Sequence, residues 1–479
     1  MTTAMTTAMT ATTSTMTPAK DVPASRPPRW PSRHPLGHLP AIHSDPLAFF
    51  REAHERYGEL VSARAANVEL TTVANPDDWQ KVLVSELQAY SKVTRGYDKL
   101  KLVLGEGLVT SEGSFWRRQR RIAQPAFHRR RIEAMGETFS SCAAEEAMAW
   151  RSAASAGATV DVAEAMMALT LRIVGLTLFS LDIRGDAARV GKDLGVLLHE
   201  FSRVTQAPYP WPEMMPTPAN WRFWRSRSRM RTLVDAIIAK RRASGEVGDD
   251  LLGMLMGTED ADTGERMADA ELRDEVMTML LAGHETTANA LSWTFWLLAS
   301  HPEEQAKVQA EIDAVLGDRG PTMADLARLP LTTAALDEAM RLYPPVWILG
   351  RRTEREVELS GHTIPAGRLI FLSPYILHRN PKLWDAPDDF RPARFVPDPE
   401  TGKVALPHKL AYAPFSAGQR KCIGDHFARS EAVIILASLL REHSVVARPG
   451  QEVVPEPTLT LRPKDGLPLQ IVRRGAKVA

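Results

Sequence analysis

The chain has 479 residues, 44% hydrophobic and 24% charged, with a formal net charge of +1. That balance belongs to a soluble globular protein and gives no reason to expect nucleic acid as the main partner. Two cysteines, Cys142 and Cys422, lie far apart in unlike contexts, which predicts no disulfide framework and a reducing, cytoplasmic compartment.

Residues 1–25 are low-complexity Thr, Ala and Met and read as a disordered tail without the basic and apolar regions of a signal peptide. No uninterrupted apolar run of about 18 residues occurs, so no transmembrane anchor is expected. Residues 26–479 contain no linker-like stretch and are expected to form one mainly α domain with small β-sheets. The Pro-rich stretch Pro27–Pro40 leads into Asp45-Pro46-Leu47, the start of a first helix. Tyr57–Ala74 alternates as short strands do, and Asn75-Pro76-Asp77-Asp78 caps a helix running to Ser85. Ser91–Ser111, punctuated by Gly96, Gly105 and Gly107, reads as a loop.

Seven arginines fall between Arg117 and Arg131. Such a run is usually a solvated helix face, with nucleic-acid binding as the sharper alternative. Trp116 and Arg120 stand at i and i+4, one above the other on a helix. Cys142–Met256 is mainly helical, with Cys142 packed inside, and is broken by five prolines from Pro208 to Pro218. A second basic run, Arg222–Arg231, surrounds Trp221, Phe223 and Trp224. It reads as a solvated face over buried aromatics, with RNA stacking as the alternative.

Asp274–Ser300 is the longest helical pattern, about 40 Å at 1.5 Å per residue. Ala282-Gly283-His284-Glu285-Thr286-Thr287 sits near its middle, and Gly, His and Thr are poor interior residues that predict a local distortion. Thr332–Leu342 is helical, with Glu338 and Arg341 on one face at i, i+3. Tyr343-Pro344-Pro345 ends it, and Val346-Trp347-Ile348-Leu349 continues extended. Val357–Phe371 has strand–turn–strand character, and Thr458–Leu461 precedes the turn residues Pro463 and Gly466 as one arm of a hairpin.

The most informative stretch is Phe415-Ser416-Ala417-Gly418-Gln419-Arg420-Lys421-Cys422-Ile423-Gly424. Gly418 and Gly424 permit positive φ or close approach of another group. Arg420, Lys421 and the N-terminus of the next helix, Asp425–Leu440, are expected to lower the thiol pKa and favour a thiolate. Phe-x-x-Gly-x-Arg-x-Cys-x-Gly resembles the haem-binding loop of the cytochrome P450 family, with no departure from it. The resemblance makes Cys422 the proximal thiolate of haem b (iron protoporphyrin IX), held within the loop by Phe415, Gly418 and Gly424.

The same resemblance implies roles for further positions. Trp116 and Arg120 match the family's Trp-x-x-x-Arg pair and would bind a haem propionate, as would Arg420 and Arg351, with Arg352 left as an alternative. Ala282 and Gly283 would form the oxygen groove on the haem's distal face. Thr286 would hydrogen-bond activated oxygen, and Glu285 would relay protons; His284 would turn away from iron. Glu338, Arg341 and Arg394 would form a structural triad. Tyr97, Leu100, Leu102, Val103 and Leu108 would either line the substrate pocket or pack their own segment. Leu281, Ala282, Val346, Trp347, Ile348, Leu459 and Thr460 are further pocket candidates. The proline-rich break is where the family carries its lid.

The resemblance implies a haem-thiolate monooxygenase acting with O2 on a hydrophobic substrate such as a fatty acid, terpenoid or steroid. The chain holds no flavin or ferredoxin module, so electrons are expected from a separate ferredoxin or flavodoxin and its reductase, docked at the outward arginines of a monomer. A peroxygenase using H2O2 is the alternative within enzymes, and a haem-based sensor or ligand-binding protein is the alternative outside them. Neither has a use for the Glu285 and Thr286 pair.

Overall fold

The computed structural model describes residues 25–182, 187–206, 212–245, 248, 250–260 and 262–475. The low-complexity tail and the first part of the proline-rich break, 207–211, lie outside them. The chain is mainly helical, with four small sheets among the described residues. Its axis is one helix, Asp269–Ser300, of 32 residues, about 48 Å long at 1.5 Å per residue. It starts five residues earlier than the periodicity predicts, because Glu271 reaches back to the Ala268 N–H at 2.9 Å and caps the first turn. It runs unbroken through Ala282–Thr287, so the weak helix formers there do not interrupt it.

Packed against this helix are Val162–Phe179, Pro330–Leu342 and Asp425–Glu442. Gly283 allows the closest approach, since a Cβ there would stand 3.1 Å from Val174 Cγ2. Among the described residues one helix, Val162–Phe179, is long and apolar enough to cross a membrane by length and composition. Glu164 and Arg172 break the apolar run in sequence, and the helix places its buried residues inside the protein core.

The five-stranded sheet has the order Leu60–Ala65, Val68–Val73, Leu369–Leu372, Leu349–Thr353, Tyr90–Ser91. Its first two strands are the short strands expected in Tyr57–Ala74, and they pair antiparallel as a hairpin turning at Ala66 with φ 52°. Asn75 caps the next helix as expected, its side chain accepting from Asp77 N and Asp78 N. Ser91–Ser111 is not all loop: Arg95–Leu104 is helical, capped by Thr94. The Gly105–Leu108 turn beyond it is tied to the central helix. Asp274 Oδ2 accepts from Glu106 N at 2.8 Å and Glu275 Oε2 from Leu108 N at 2.9 Å. Any side chain at Gly107 would strike Thr278 Oγ1, at 2.2 Å.

Candidate active site

The cysteine loop closes on itself. Cys422 N donates to Phe415 O at 2.9 Å, and Ser416 and Gly418 take φ of 61° and 69°. A Cβ on Gly418 would lie 2.1 Å from Leu83 O, so glycine is required there by space and by backbone. Gly424 differs from the expectation. Its φ of −96° is ordinary, and it serves as the N-cap of Asp425–Glu442.

The thiol also departs from the sequence reading. Burial pushes the Cys422 thiol up; a hydrogen bond from the Gly424 backbone and the Arg120 and Lys421 charges oppose this only in part. A bound metal ion would deprotonate it outright. Although enclosed by protein, Cys422 is accessible, as expected of a side chain facing an interior space. Arg420 does not neighbour the sulfur. Its guanidinium lies 3.8 Å from the Trp116 ring centre and donates to Ser111 O at 3.0 Å. Arg120 crosses instead to the loop, donating to Lys421 O at 3.0 Å.

Beside this loop stands a group of cations with too little negative charge. Arg351, the residue the sequence favours, is buried and donates to Tyr97 Oη at 3.4 Å, whereas the alternative Arg352 is exposed. Lys92 donates to Val109 O at 2.8 Å and stands 5.1 Å from the Tyr97 ring centre. Burial holds its ammonium well below the usual range, and Arg351 and Arg420 push it further down. Burial likewise brings Arg420 down to about 10, opposed by Glu112 and reinforced by Arg351. Lys92, Arg351 and Arg420 thus lie within one another's charge, with the Glu112 carboxylate beside Lys92 and Arg420, and such a group of enclosed cations is suited to a further anion. The two propionates of a haem fit this charge, and Cys422, two residues from Arg420, fits its iron.

Lys92 was missed by the sequence reading: a lone lysine in Ser91-Lys92-Val93 carries no pattern. Tyr97, expected at the pocket wall, belongs to this cation group. Leu100, Val103 and Leu108 are buried in the main core, with Leu102 packed against it.

On the central helix, Ala282, Gly283 and Thr286 are partly accessible while His284, Glu285 and Thr287 are buried. Thr286 Oγ1 donates to Ala282 O at 2.7 Å, and Thr287 Oγ1 to Gly283 O at 3.2 Å. His284 Nδ1 is 2.6 Å from Leu280 O, and burial brings its pKa down to about 4. The neutral ring is thus held against its own helix.

Glu285 is buried, and Thr460 Oγ1 donates to its Oε1 at 2.6 Å. Asn289 Nδ2 in turn donates to Thr460 Oγ1 at 3.0 Å. Burial pushes the carboxyl up to about 7, against the Thr460 hydrogen bond and the Arg462 charge. Thr460 is therefore a carboxyl partner rather than a free pocket residue. A second acid was not foreseen: Glu431, on the helix after the cysteine loop, is fully buried and raised well above the usual range by burial, with the Thr287 hydroxyl opposing.

The predicted triad forms. Arg341 and Glu338 are both 0% exposed and doubly bonded, Nε to Oε2 at 2.7 Å and Nη2 to Oε1 at 2.9 Å. Arg394 Nε adds a contact to Glu338 Oε1 at 3.3 Å. Arg341 Nη1 also donates to His378 O and Pro387 O, and Nη2 to Asp389 O.

Trp347 is a correction among the pocket candidates. It is buried against Phe50 in the small-sheet core, and its Nε1 donates to Thr458 O at 3.0 Å. Ile348 packs at the edge of the same cluster, Leu281 is inside the main core, and Leu459 packs against it. Val346 remains partly accessible.

The arginine run is also less available than its sequence suggests. Arg118 binds Glu265 and Glu271, Arg121 binds Asp260 and Asp262, and Arg129 binds Glu133. In the second run Phe223 is buried as expected, but Trp221 and Trp224 are exposed.

A haem-thiolate enzyme is the class that this loop, cation group and distal helix define. Residues 27–470 match the cytochrome P450 family, and the chain belongs to it. It is 37% identical over 428 residues to cyclooctatin synthase of Streptomyces melanosporofaciens, covering 89% of this chain and 91% of that one. Cyclooctat-9-en-7-ol 5-monooxygenase of the same organism is 37% identical over 418 residues, covering 87% and 88%. Pentalenene oxygenase of Streptomyces avermitilis is 33% identical over 440 residues, covering 92% and 95%. The protein is a cytochrome P450 monooxygenase with a haem-thiolate cofactor.

Proposed function

We propose that residues 26–479 form a single haem domain in which Cys422 ligates iron and Lys92, Trp116, Arg351 and Arg420 hold the propionates. The observation that carries this reading is the enclosed excess of cations beside the cysteine loop. When bound, the haem supplies O2 reduction and transfer of one oxygen atom. The balance is RH + O2 + 2e⁻ + 2H⁺ → ROH + H2O, so the chain must deliver two protons to a dry site.

Glu285 is suited to that task. With a pKa near 7 it both holds and releases a proton near neutral pH, and Thr460 and Asn289 fix its orientation. Thr286, one residue on, presents a hydroxyl at the accessible part of the helix. Its bond to Ala282 O commits its proton inward and leaves its oxygen lone pairs free to accept.

The substrate is a hydrophobic terpenoid. Supporting this, the Streptomyces relatives are named for acting on cyclooctat-9-en-7-ol and pentalenene or making cyclooctatin, and Ala282 and Val346, pocket candidates that stay partly accessible here, are apolar. Electrons come to the monomer from a ferredoxin or flavodoxin and its reductase, at Arg117 and Arg130, which carry exposed charge on the arginine-rich surface. Titrating the purified enzyme with terpenoids, fatty acids and steroids tests the substrate class by the spectral shift that accompanies displacement of iron-bound water. A shift confined to fatty acids or steroids would exclude the terpenoid reading. An electron-transfer rate insensitive to salt would exclude the docking.

A further inference from the structure

At the C-terminal end of the central helix the surface opens into a cleft of about 560 Å³. It is lined by Arg51 of the helix Pro46–Tyr57, by Tyr343 at the end of Pro330–Leu342, and by Tyr375, Arg379, Asp388 and Phe390. Leu297, which also lines it, stands eleven residues beyond Thr286 on the same helix, about 16 Å along the axis. The cleft is therefore separate from the haem site.

Its polar groups do not balance. The Arg379 guanidinium lies 4.0 Å from the Tyr375 ring centre and 5.5 Å from that of Tyr343. Arg51 Nη2 donates to Tyr375 Oη at 3.1 Å. One carboxylate serves both cations: Arg379 Nε donates to Asp388 Oδ1 at 3.0 Å, and Arg51 Nη2 stands 3.7 Å from the same oxygen. Asp389 is already engaged by Arg391 Nη2 at 2.5 Å. Burial pushes Arg379 below its ordinary value and Arg51 adds to this, with the two tyrosines and Asp388 opposing. Among the described residues, Arg379 Nη2 and Arg51 Nη1 donate to no protein group. Two guanidinium groups thus share one carboxylate, and that carboxylate is itself 61% exposed to water.

A guanidinium stacked on a phenol ring keeps its N–H groups in plane, where a carboxylate accepts them. The rings around it offer an apolar wall for the rest of the ligand. An inorganic anion would use the charge and leave those rings wet, and a neutral aromatic would leave the N–H groups unpaired. We propose that this cleft is a second small-molecule site, which takes an aromatic monocarboxylate with its carboxylate at Arg51 and Arg379 and its ring against Tyr343 and Phe390. The site depends on neither the substrate nor the proton route at the haem.

The test is equilibrium dialysis of the holoenzyme with 2-naphthoate, its haem iron first ligated by 4-phenylimidazole to close the haem pocket. The expected result is one equivalent of 2-naphthoate bound while the absorbance of the azole complex stays unchanged. Binding should be about tenfold tighter than that of the neutral 2-naphthalenemethanol, or more. Inorganic phosphate should compete only weakly. Arg51→Met is expected to weaken binding about tenfold. Asp388→Asn, which removes the competing exposed carboxylate, is expected to tighten it about threefold. An unchanged azole-complex spectrum in each variant shows that the fold is kept. No binding beside the azole, displacement of the azole, equal affinity for the alcohol or for phosphate, or an affinity unmoved by either substitution would overturn the proposal.

Discussion

Replacing Arg341 with alanine removes five hydrogen bonds in one step: two to Glu338 and one each to His378 O, Pro387 O and Asp389 O. Glu338 is left fully buried with Arg394 and the Arg391 N–H as its remaining partners. Breaking a buried ion pair costs about 3–5 kcal/mol, and each stranded carbonyl adds about 1–3 kcal/mol. The sum is about 6 kcal/mol or more, comparable to the whole stability of a typical domain. The damage also has a route to the haem loop. His378, whose carbonyl Arg341 holds, accepts from Ala413 N at 2.9 Å through Nε2, and Ala413 is two residues before Phe415. Burial and the Arg341 charge bring the His378 pKa down to about 3, so this nitrogen stays an acceptor. Arg341→Ala is therefore expected to yield little haem-loaded protein, measured as the ratio of haem to protein absorbance after purification. Arg341→Lys, which keeps the charge but not the forked geometry, is expected to fail nearly as badly. Full haem incorporation in either variant would refute the chain of contacts from triad to loop.

Gly418→Ala puts a methyl group against Leu83 O at a backbone angle that disfavours it; haem content is expected to fall sharply, while Gly424→Ala is expected to be mild. Lys92→Met and Arg351→Met each remove one enclosed cation, and haem transfer to an apo-globin acceptor should accelerate by about tenfold in either. Glu285→Gln should lower turnover by about 10²-fold with O2 and electron donors while leaving haem binding intact, as read by parallel kinetics and absorbance. For stability against pH, Glu275 acts in the same direction as the buried Glu285 and Glu431. Burial raises it from 4.5 to about 8, so the native state binds more protons than the unfolded state between those values. Stability is then greatest below about pH 4.5 as far as this group is concerned and falls as pH rises towards 8. Glu275→Gln should flatten that decline in denaturant titrations run across the window.

The elements that sequence revealed were those with a local cause. Asn75 caps its helix through its own side chain, Pro345 stops another, and the cysteine loop carries its glycine at the position where Leu83 O leaves no room. Glu338 and Arg341 were found as a pair because i, i+3 spacing is readable, but their complete burial depends on carbonyls some forty residues away. Lys92 and Glu431 were invisible for the same reason: each acquires meaning from distant partners, Arg420 and Thr287. Trp347 shows the reverse error. An apolar residue in an extended segment near the pocket can face either way, and its indole N–H was settled by Thr458 O. Trp221 and Trp224 were expected to be buried because aromatic residues usually are, yet the inward face of that helix is taken by Phe223, Ser226 and Met230.

The most direct test of the central claim uses the chain's two cysteines. The carbon monoxide complex of the reduced enzyme should show the red-shifted absorbance of thiolate-ligated haem. Cys142→Ser should keep that band, and Cys422→Ser should lose it. Retention of the thiolate band in Cys422→Ser, or its loss in a folded Cys142→Ser, would contradict the assignment.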